Sequence, residues 1–142
     1  MSETGISEEF ADQLVSTSRT AIGDALRSVI YFTPEEFDVL YVRSDLYGGD
    51  TKVAGEAKKT FVDNERVGFD SRETYDELAI EEGVEPNIGE YEFTIRVFSD
   101  GFVNRLLADG HGIVLTTNAL YLNEFEELAV SLRKQLADHE AP

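Results

Sequence analysis

Residues 90–117 read EYEFTIRVFSDGFVNRLLADGHGIVLTT, and this stretch decides the fold because it predicts three antiparallel strands joined by two tight turns. Its first segment alternates with a period of two, and the side chains predicted to face a core are Tyr91, Phe93, Ile95 and Val97. Asp100-Gly101 is typical of a two-residue hairpin turn, which needs positive φ angles. A second strand over 102–108, a turn over 109–112 and a third strand over 113–117 complete an antiparallel meander.

The chain before this meander predicts a helix and a hairpin. Ser7 followed by two acids is a typical helix start, and apolar residues at helical spacing extend the predicted helix to about Ala25. Two segments rich in β-branched and aromatic residues, 27–33 and 37–43, predict strands separated by Pro34. A competing interpretation makes Pro34 the first residue of a helix. Four successive apolar residues at 39–42 favour instead a strand that is covered on both faces.

A second helix is predicted from Thr51 to about Gly68, and an acidic insertion follows it. The insertion covers about residues 69–89 and is broken by Gly83 and Pro86. We expect it to be helical around 74–80 and mobile elsewhere.

The final helix carries the cleanest helical stripe of the chain. Asn123 is predicted to cap it, and its apolar residues recur at spacings of three and four: Phe125, Leu128, Ala129, Leu132 and Leu136. Residues 139–142 are expected to form a frayed tail.

These elements predict a single α+β domain over residues 1–142. Their order is α-β-β-α-β-β-β-α, in which five antiparallel strands form one sheet with flanking helices. The order resembles that of the roadblock and profilin-like group over about residues 7 to 137. This resemblance implies an architecture in which the two halves lie side by side, and it implies a homodimer. The segment YFTPEEFDVLYVRSDL, residues 31–46, is similar to small acidic proteins of halophilic archaea that are functionally uncharacterised.

The charge of the chain indicates the solvent in which it works. Its 29 acidic and 12 basic residues give a formal net charge of −17. The screening length is ~10 Å at ~0.1 M salt and ~3 Å at ~1 M, so repulsion among these acids nearly vanishes only in concentrated salt. We therefore expect a halophilic cytoplasm. The alternative is an acidic protein of ordinary salt that binds basic partners.

The composition also excludes several classes of protein. The chain has no cysteine, so it offers no disulfide, thiolate nucleophile or cysteine zinc site. Its acidic N-terminus lacks the features of a signal peptide, and its longest apolar runs are far shorter than a bilayer span. A cytoplasmic location without membrane binding is expected. Nucleic acid is not an expected partner, since no row of bases is available to neutralise phosphates.

The histidine supply argues against an enzyme. His111 lies in the predicted turn 109–112 and His139 in the predicted tail, so neither is expected to be a buried, oriented base. The carboxylates of the acidic insertion lack the pattern of a calcium loop and are expected to be solvated surface. We predict no catalytic residues, no metal site and no cofactor.

Two arginines are the best candidates for a binding site. With Asp100-Gly101 as the turn, Arg96 and Arg105 would lie directly opposite each other on neighbouring strands, away from the predicted core face. An internal carboxylate, such as Glu92, Asp109 or one from a helix, would relieve their repulsion. Alternatively, they would hold an anionic ligand or a partner's carboxylate.

The same face of these strands also carries apolar residues, namely Phe98, Val103 and Leu107. We expect most of them to be covered by the first or last helix, with the rest at a homodimer interface. The predicted function is a non-enzymatic interaction or scaffold module with an unknown protein partner. The alternative is a small-ligand sensor that binds an anion between the sheet and the helices, near Tyr31, Tyr41, Arg96 and Arg105.

Overall fold

The chain folds around one antiparallel sheet of five strands, in a computed structural model that describes residues 2–80 and 90–142. In chain order the strands are β1 (Leu26–Phe32), β2 (Phe37–Val42), β3 (Thr94–Phe98), β4 (Gly101–Ala108) and β5 (His111–Thr117). Across the sheet they follow the order β2-β1-β5-β4-β3. The last strand along the chain is therefore the central one, and β2 and β3 form the two edges.

Helices cover both faces of this sheet. They are α1 (Glu8–Ile22), α2 (Thr51–Glu65), α3 (Val67–Ile80) and α4 (Leu122–Asp138). Residues of α1 and α4 pack in one apolar cluster on the first face, while residues of α2 and α3 pack in another on the second face. The predicted α+β class and element order are confirmed. The predicted three-layer arrangement is also present, but α2 and α3 cover the second face where α1 or α4 was expected.

Polar side chains cap the N-terminal ends of α1 and α2. The Ser7 hydroxyl accepts a hydrogen bond from the backbone N–H of Phe10 at 3.1 Å, as the sequence predicts. The carboxylate of Asp50 caps α2 in the same way, accepting from the N–H of Lys52 at 2.9 Å. Helix α1 ends at Ile22 because Gly23 takes a positive φ of 72°, and residues 23–25 form a 3₁₀ turn before β1.

The two apolar clusters follow from the alternation of the central strands. In β5, Ile113 and Leu115 face the first cluster, whereas Val114 faces the second. All seven residues of β5 are buried, as are the last six of β4. The edge strand β2 contacts both clusters but is mostly half-buried, so the prediction that it is covered on both faces holds only in part.

The first turn of the meander lies one residue earlier than predicted. Phe98 pairs with Gly101, so the turn residues are Ser99 and Asp100. Gly101 is the first residue of β4. A Cβ on this residue would lie only 2.7 Å from the carbonyl oxygen of Thr117 on β5, so only glycine fits here. The glycine thus permits a close approach of two strands, and the expected role in the turn is wrong.

The second turn is shorter than predicted. It consists of Asp109 and Gly110, whose φ is 80°, and β5 begins at His111.

The first strand of the meander also differs from its prediction. Strand β3 begins at Thr94, and Val97 is 73% exposed, because the tip of this edge strand lies beyond the cover of the helices.

The remaining differences concern the helices near the C-terminal half. Helix α3 begins at Val67, earlier than the predicted helical part of the acidic insertion, and residues 81–89 of that insertion lie outside the described residues. Helix α4 begins at Leu122 after Tyr121, so Asn123 is not its cap. In the predicted tail, the ring of His139 stacks on Phe10 with centroids 3.9 Å apart.

We predict opposite stability changes when two glycines are replaced by alanine. At Gly112 a Cβ would lie 2.7 Å from Leu107 and 2.9 Å from the ring of Phe32, so Gly112→Ala should lower the free energy of unfolding by about 1 to 3 kcal/mol. At Gly55 in α2 the nearest atom is 3.9 Å away, so Gly55→Ala should raise it by about 0.5 to 1 kcal/mol. Urea denaturation measures both; a Gly112→Ala variant as stable as wild type contradicts the close packing.

Candidate functional site

The four residues predicted to form one site lie on opposite faces of the sheet. Tyr31 and Tyr41 belong to the cluster beneath α1 and α4. Arg96 and Arg105 lie on the other face, where both contact Glu65 at the end of α2. The sheet itself separates the two pairs, so the structure brings Arg96 and Arg105 together but does not unite the four.

Arg96 and Arg105 are diagonal neighbours in the sheet. Arg96 lies opposite Val103 and Arg105 opposite Thr94, so the prediction that they face each other directly is wrong. The cause is the displaced turn, which moves the partner of every β3 residue by two positions along β4. Because diagonal neighbours share a face, a single group can still contact both guanidinium groups.

That group is the carboxylate of Glu65. Its Oε2 accepts from Nε of Arg96 at 2.9 Å, and its Oε1 accepts from Nη1 of Arg105 at 3.1 Å. Glu65 is only 1% exposed, and Arg105 is also buried. The carboxylate of a helix therefore neutralises both arginines, which is one of the two arrangements considered from the sequence.

The surroundings of Arg105 fit this ion pair closely. Its guanidinium also donates to the hydroxyl of Thr94 at 3.0 Å and to the backbone carbonyl of Glu65 at 3.2 Å. A Cβ on Gly68 would collide with the guanidinium, so this glycine at the start of α3 leaves the room that Arg105 needs. The cluster of Glu65, Arg96 and Arg105 thus ties helix α2 to the β3-β4 hairpin.

Tyr31 forms a second buried polar contact, with His111. The Tyr31 hydroxyl and Nδ1 of His111 are 2.6 Å apart, and Nε2 of His111 is 2.8 Å from the carbonyl oxygen of Leu136. Since that carbonyl can only accept, Nε2 carries the proton and Nδ1 accepts from the tyrosine. His111 is therefore a core residue that joins β1, β5 and α4, and its predicted place in an exposed turn is wrong.

Burial controls the ionisation of this pair. It is the main cause that lowers the pKa of His111, and the charge of the nearby His139 lowers it further. Burial likewise raises the pKa of Tyr31, with a smaller contribution from Asp38. Both groups are neutral near pH 7, and both ring nitrogens of His111 are already engaged, so this pair has the properties of a structural contact.

Tyr41 lines an open cleft of about 550 Å³ between α1 and β2. The guanidinium of Arg19 lies 4.9 Å from the centre of its ring, a cation–π distance. Arg43, also in this cleft, donates to both carboxylate oxygens of Asp45 and to Asn118. The N–H groups of the Arg43 guanidinium therefore already have acceptors within the chain. Asp12 and Asp24 add negative charge to the lining of the cleft.

Residues 2–80 and 90–142 contain neither a metal-binding group nor a membrane-spanning helix. No three histidine, aspartate or glutamate side chains within them come together as a metal-binding group. None of the helices in these ranges combines the length and apolar character that a membrane crossing requires.

A comparison with protein families identifies the chain's relatives. The model described as "Domain of unknown function (DUF7522)" matches residues 12–137. The chain belongs to this family. The DUF7522 match begins within α1 and ends within α4, so it takes in the whole sheet and both helical layers. No curated protein matches the sequence.

Sequence reasoning missed Glu65 and the burial of His111. A signal for Glu65 existed, because it follows Val62 by three residues and so shares the inward face of the helix. His111 gave a misleading signal, since the glycines beside it resemble turn residues. Gly112 is instead small so that Phe32 and Leu107 can pack against β5.

Removal of the Glu65 charge should be strongly destabilising. Glu65→Gln leaves the buried guanidinium of Arg105 without its counter-charge, so we expect a loss of about 3 to 5 kcal/mol in the free energy of unfolding. Asp63→Asn is the matched control, because this exposed carboxylate on the same helix pairs with Arg66 and should change stability by less than about 1 kcal/mol. Denaturation in urea measures both variants, and equal losses would mean that the cluster has no special role.

His111 should make stability depend on pH. In the unfolded chain it takes up a proton near its ordinary pKa of 6.5, whereas in the folded chain its pKa is lower. The stability that this neutral histidine contributes is therefore complete above pH 6.5 and is lost as the pH falls toward the folded pKa. Wild type should lose more unfolding free energy than His111→Gln on acidification from neutral pH, because only wild type titrates here. Parallel pH profiles for the two proteins would contradict the buried neutral state.

Proposed function

We propose that this DUF7522 protein is a non-enzymatic interaction module that acts as a homodimer, and that its two copies join through strand β3. The observation that carries the proposal is the position of β3 at the edge of the sheet, where no other strand of the described residues pairs with its outer side and Val97 is 73% and Phe98 is 56% exposed. The backbone groups on the outer side of an edge strand are free to pair with another strand. Large apolar side chains beside such an edge are typical of an interface.

The charge distribution favours a second copy as the occupant. Residues 94–98 read TIRVF and carry one base and no acid, in a chain that holds 29 acidic residues. Two chains with a net charge of −17 repel each other over most of their surfaces, and this strand is where they can approach with little repulsion. A two-fold axis beside β3 would join two sheets in antiparallel fashion, with β3 of one copy pairing with β3 of the other.

The other edge of the sheet is less suited to pairing. The backbone N–H groups of Glu3 and Thr4 donate to the carboxylate of Asp38 on β2 at 2.8 and 3.0 Å. The N-terminal segment therefore lies beside this edge. Side chains of β2 are also mostly half-buried, whereas the end of β3 is exposed.

The proposed dimer works in concentrated salt. Dimerisation doubles the negative charge of the particle, and salt at ~1 M reduces the screening length to ~3 Å. A dimer that needs concentrated salt agrees with the halophilic cytoplasm that we propose from the composition. The resemblance in element order to the roadblock and profilin-like group adds further support, because it implies a homodimer.

The alternative, an anion sensor that uses Arg96 and Arg105, is less favoured at those residues. Glu65 already provides the negative charge for both guanidinium groups. The apolar clusters beneath the helices consist of packed side chains, and the cleft beside Tyr41 is open to solvent. These features favour docking over enclosure of a ligand.

A single added charge on β3 should separate the dimer. In molar potassium chloride, wild type at tens of micromolar should sediment with twice the chain mass of 15.9 kDa. Val97→Glu should sediment as a monomer, since it places a carboxylate within the apolar contact. Val130→Glu is the matched control, because Val130 is 62% exposed on α4 and receives the same charge. The proposal fails if wild type is monomeric, or if both variants lose the dimer equally.

A further inference from the structure

A second open cleft lies on the α2 side of the sheet, beside the turn of the β3-β4 hairpin. Its volume is about 300 Å³, which is large enough for a small organic ligand. The lining combines bases, hydroxyls and aromatic rings: Arg27, Lys58, Phe98, Ser99, Phe102 and Thr116. Asp100 also lines this cleft and is the acidic residue of the lining.

The two bases of this cleft have no acidic partner in the described part of the chain. Every ion pair found there involves other bases, and the side chains of Arg27 and Lys58 donate no hydrogen bond to a described residue. The ammonium of Lys58 lies instead 5.3 Å from the centre of the Phe61 ring.

The two charges are also close enough to affect each other. Lys58 is half-buried, and burial first, then the positive charge of Arg27, lowers the pKa of its ammonium group. An anion between the two bases would offset the repulsion between them. A divalent anion matches the pair, because it neutralises both charges at once.

A β-bulge directs Arg27 toward this cleft. Leu26 pairs with Thr117 and Ser28 with Thr116, so Arg27 is an extra residue on β1 with no partner on β5. Bulges of this kind redirect a side chain and occur often beside functional sites. Here the bulge adds a base to the face that also carries Lys58.

A hydroxyl donor is available beside the two bases. The hydroxyl oxygens of Ser28 and Thr116 are 2.5 Å apart, and no other hydrogen bond of either hydroxyl is found among the described residues. One of the two O–H groups donates to the other, so the second O–H retains its hydrogen for another acceptor. Thr116 lines the cleft and Ser28 adjoins it.

We propose that this cleft binds a small phosphate monoester, with Arg27 and Lys58 holding the phosphate and Phe98 contacting the organic group. The planar guanidinium suits two phosphate oxygens, while the ammonium supplies a second positive charge. The exposed ring of Phe98 offers an apolar surface next to the bases. All the lining residues belong to one chain, so the site does not require a second copy, but Phe98 also lies at the β3 edge proposed for dimerisation.

The test titrates phenyl phosphate and inorganic phosphate into the protein by isothermal calorimetry, at constant ionic strength and at the lowest salt that preserves the native circular dichroism spectrum. Both probes should bind with a stoichiometry of one per chain, and phenyl phosphate should bind more tightly. Lys58→Gln and Arg27→Gln should each weaken binding about tenfold or more, as expected for a lost charge-assisted contact. Asp100→Asn should strengthen binding.

Matched variants separate this site from general charge effects. Lys59→Gln removes the same charge from a neighbouring exposed position and should change affinity by less than about twofold. Phe98→Ala should reduce the affinity for phenyl phosphate to that for inorganic phosphate. Val97→Glu, the monomer variant, should retain binding, so the site and the dimer can fail separately.

Three results would overturn the proposal. The first is an absence of saturable binding of either phosphate probe below about 10 mM. The second is an equal loss of affinity in Lys58→Gln and Lys59→Gln, which would indicate only general attraction. The third is binding of succinate as tight as that of phenyl phosphate, which would assign the cleft to dicarboxylates.

Discussion

The structure depends on one constraint, which is that strand β5 must be covered on both faces. All seven of its residues are buried, with apolar side chains directed to both sides of the sheet. A single helical layer could not remove both faces from water, so two helices lie on each side.

Charged and polar groups that enter this core need partners within it. Glu65 and Arg105 lie between α2 and the sheet and neutralise each other, with Arg96 as a third member. On the other side, His111 and Tyr31 remain neutral and share a hydrogen bond. Each arrangement connects a helix to strands, because a buried group left without its partner would carry the full cost of its lost hydration.

The sequence predicts the layers well because hydrophobic periodicity survives in every main element. The alternation at Phe93 and Ile95 and the helical stripe of α4 both reach the first cluster as expected. The hairpin register could not be predicted, since Gly101 resembles a turn residue but is required by the nearby carbonyl of Thr117. The candidate site was predictable only in part. Arg96 and Arg105 share a face as expected, but their partner Glu65 comes from a helix whose packing the local sequence does not reveal.

Coverage of both faces of the sheet and the proposed pairing along β3 can be examined together by amide hydrogen exchange, measured by NMR at two protein concentrations. Val114 and Leu115 should exchange most slowly at both concentrations, while alternate amides of residues 94–98 should become protected only at the higher one. Protection of β3 that does not change with concentration would contradict the pairing, and fast exchange in β5 would contradict the coverage.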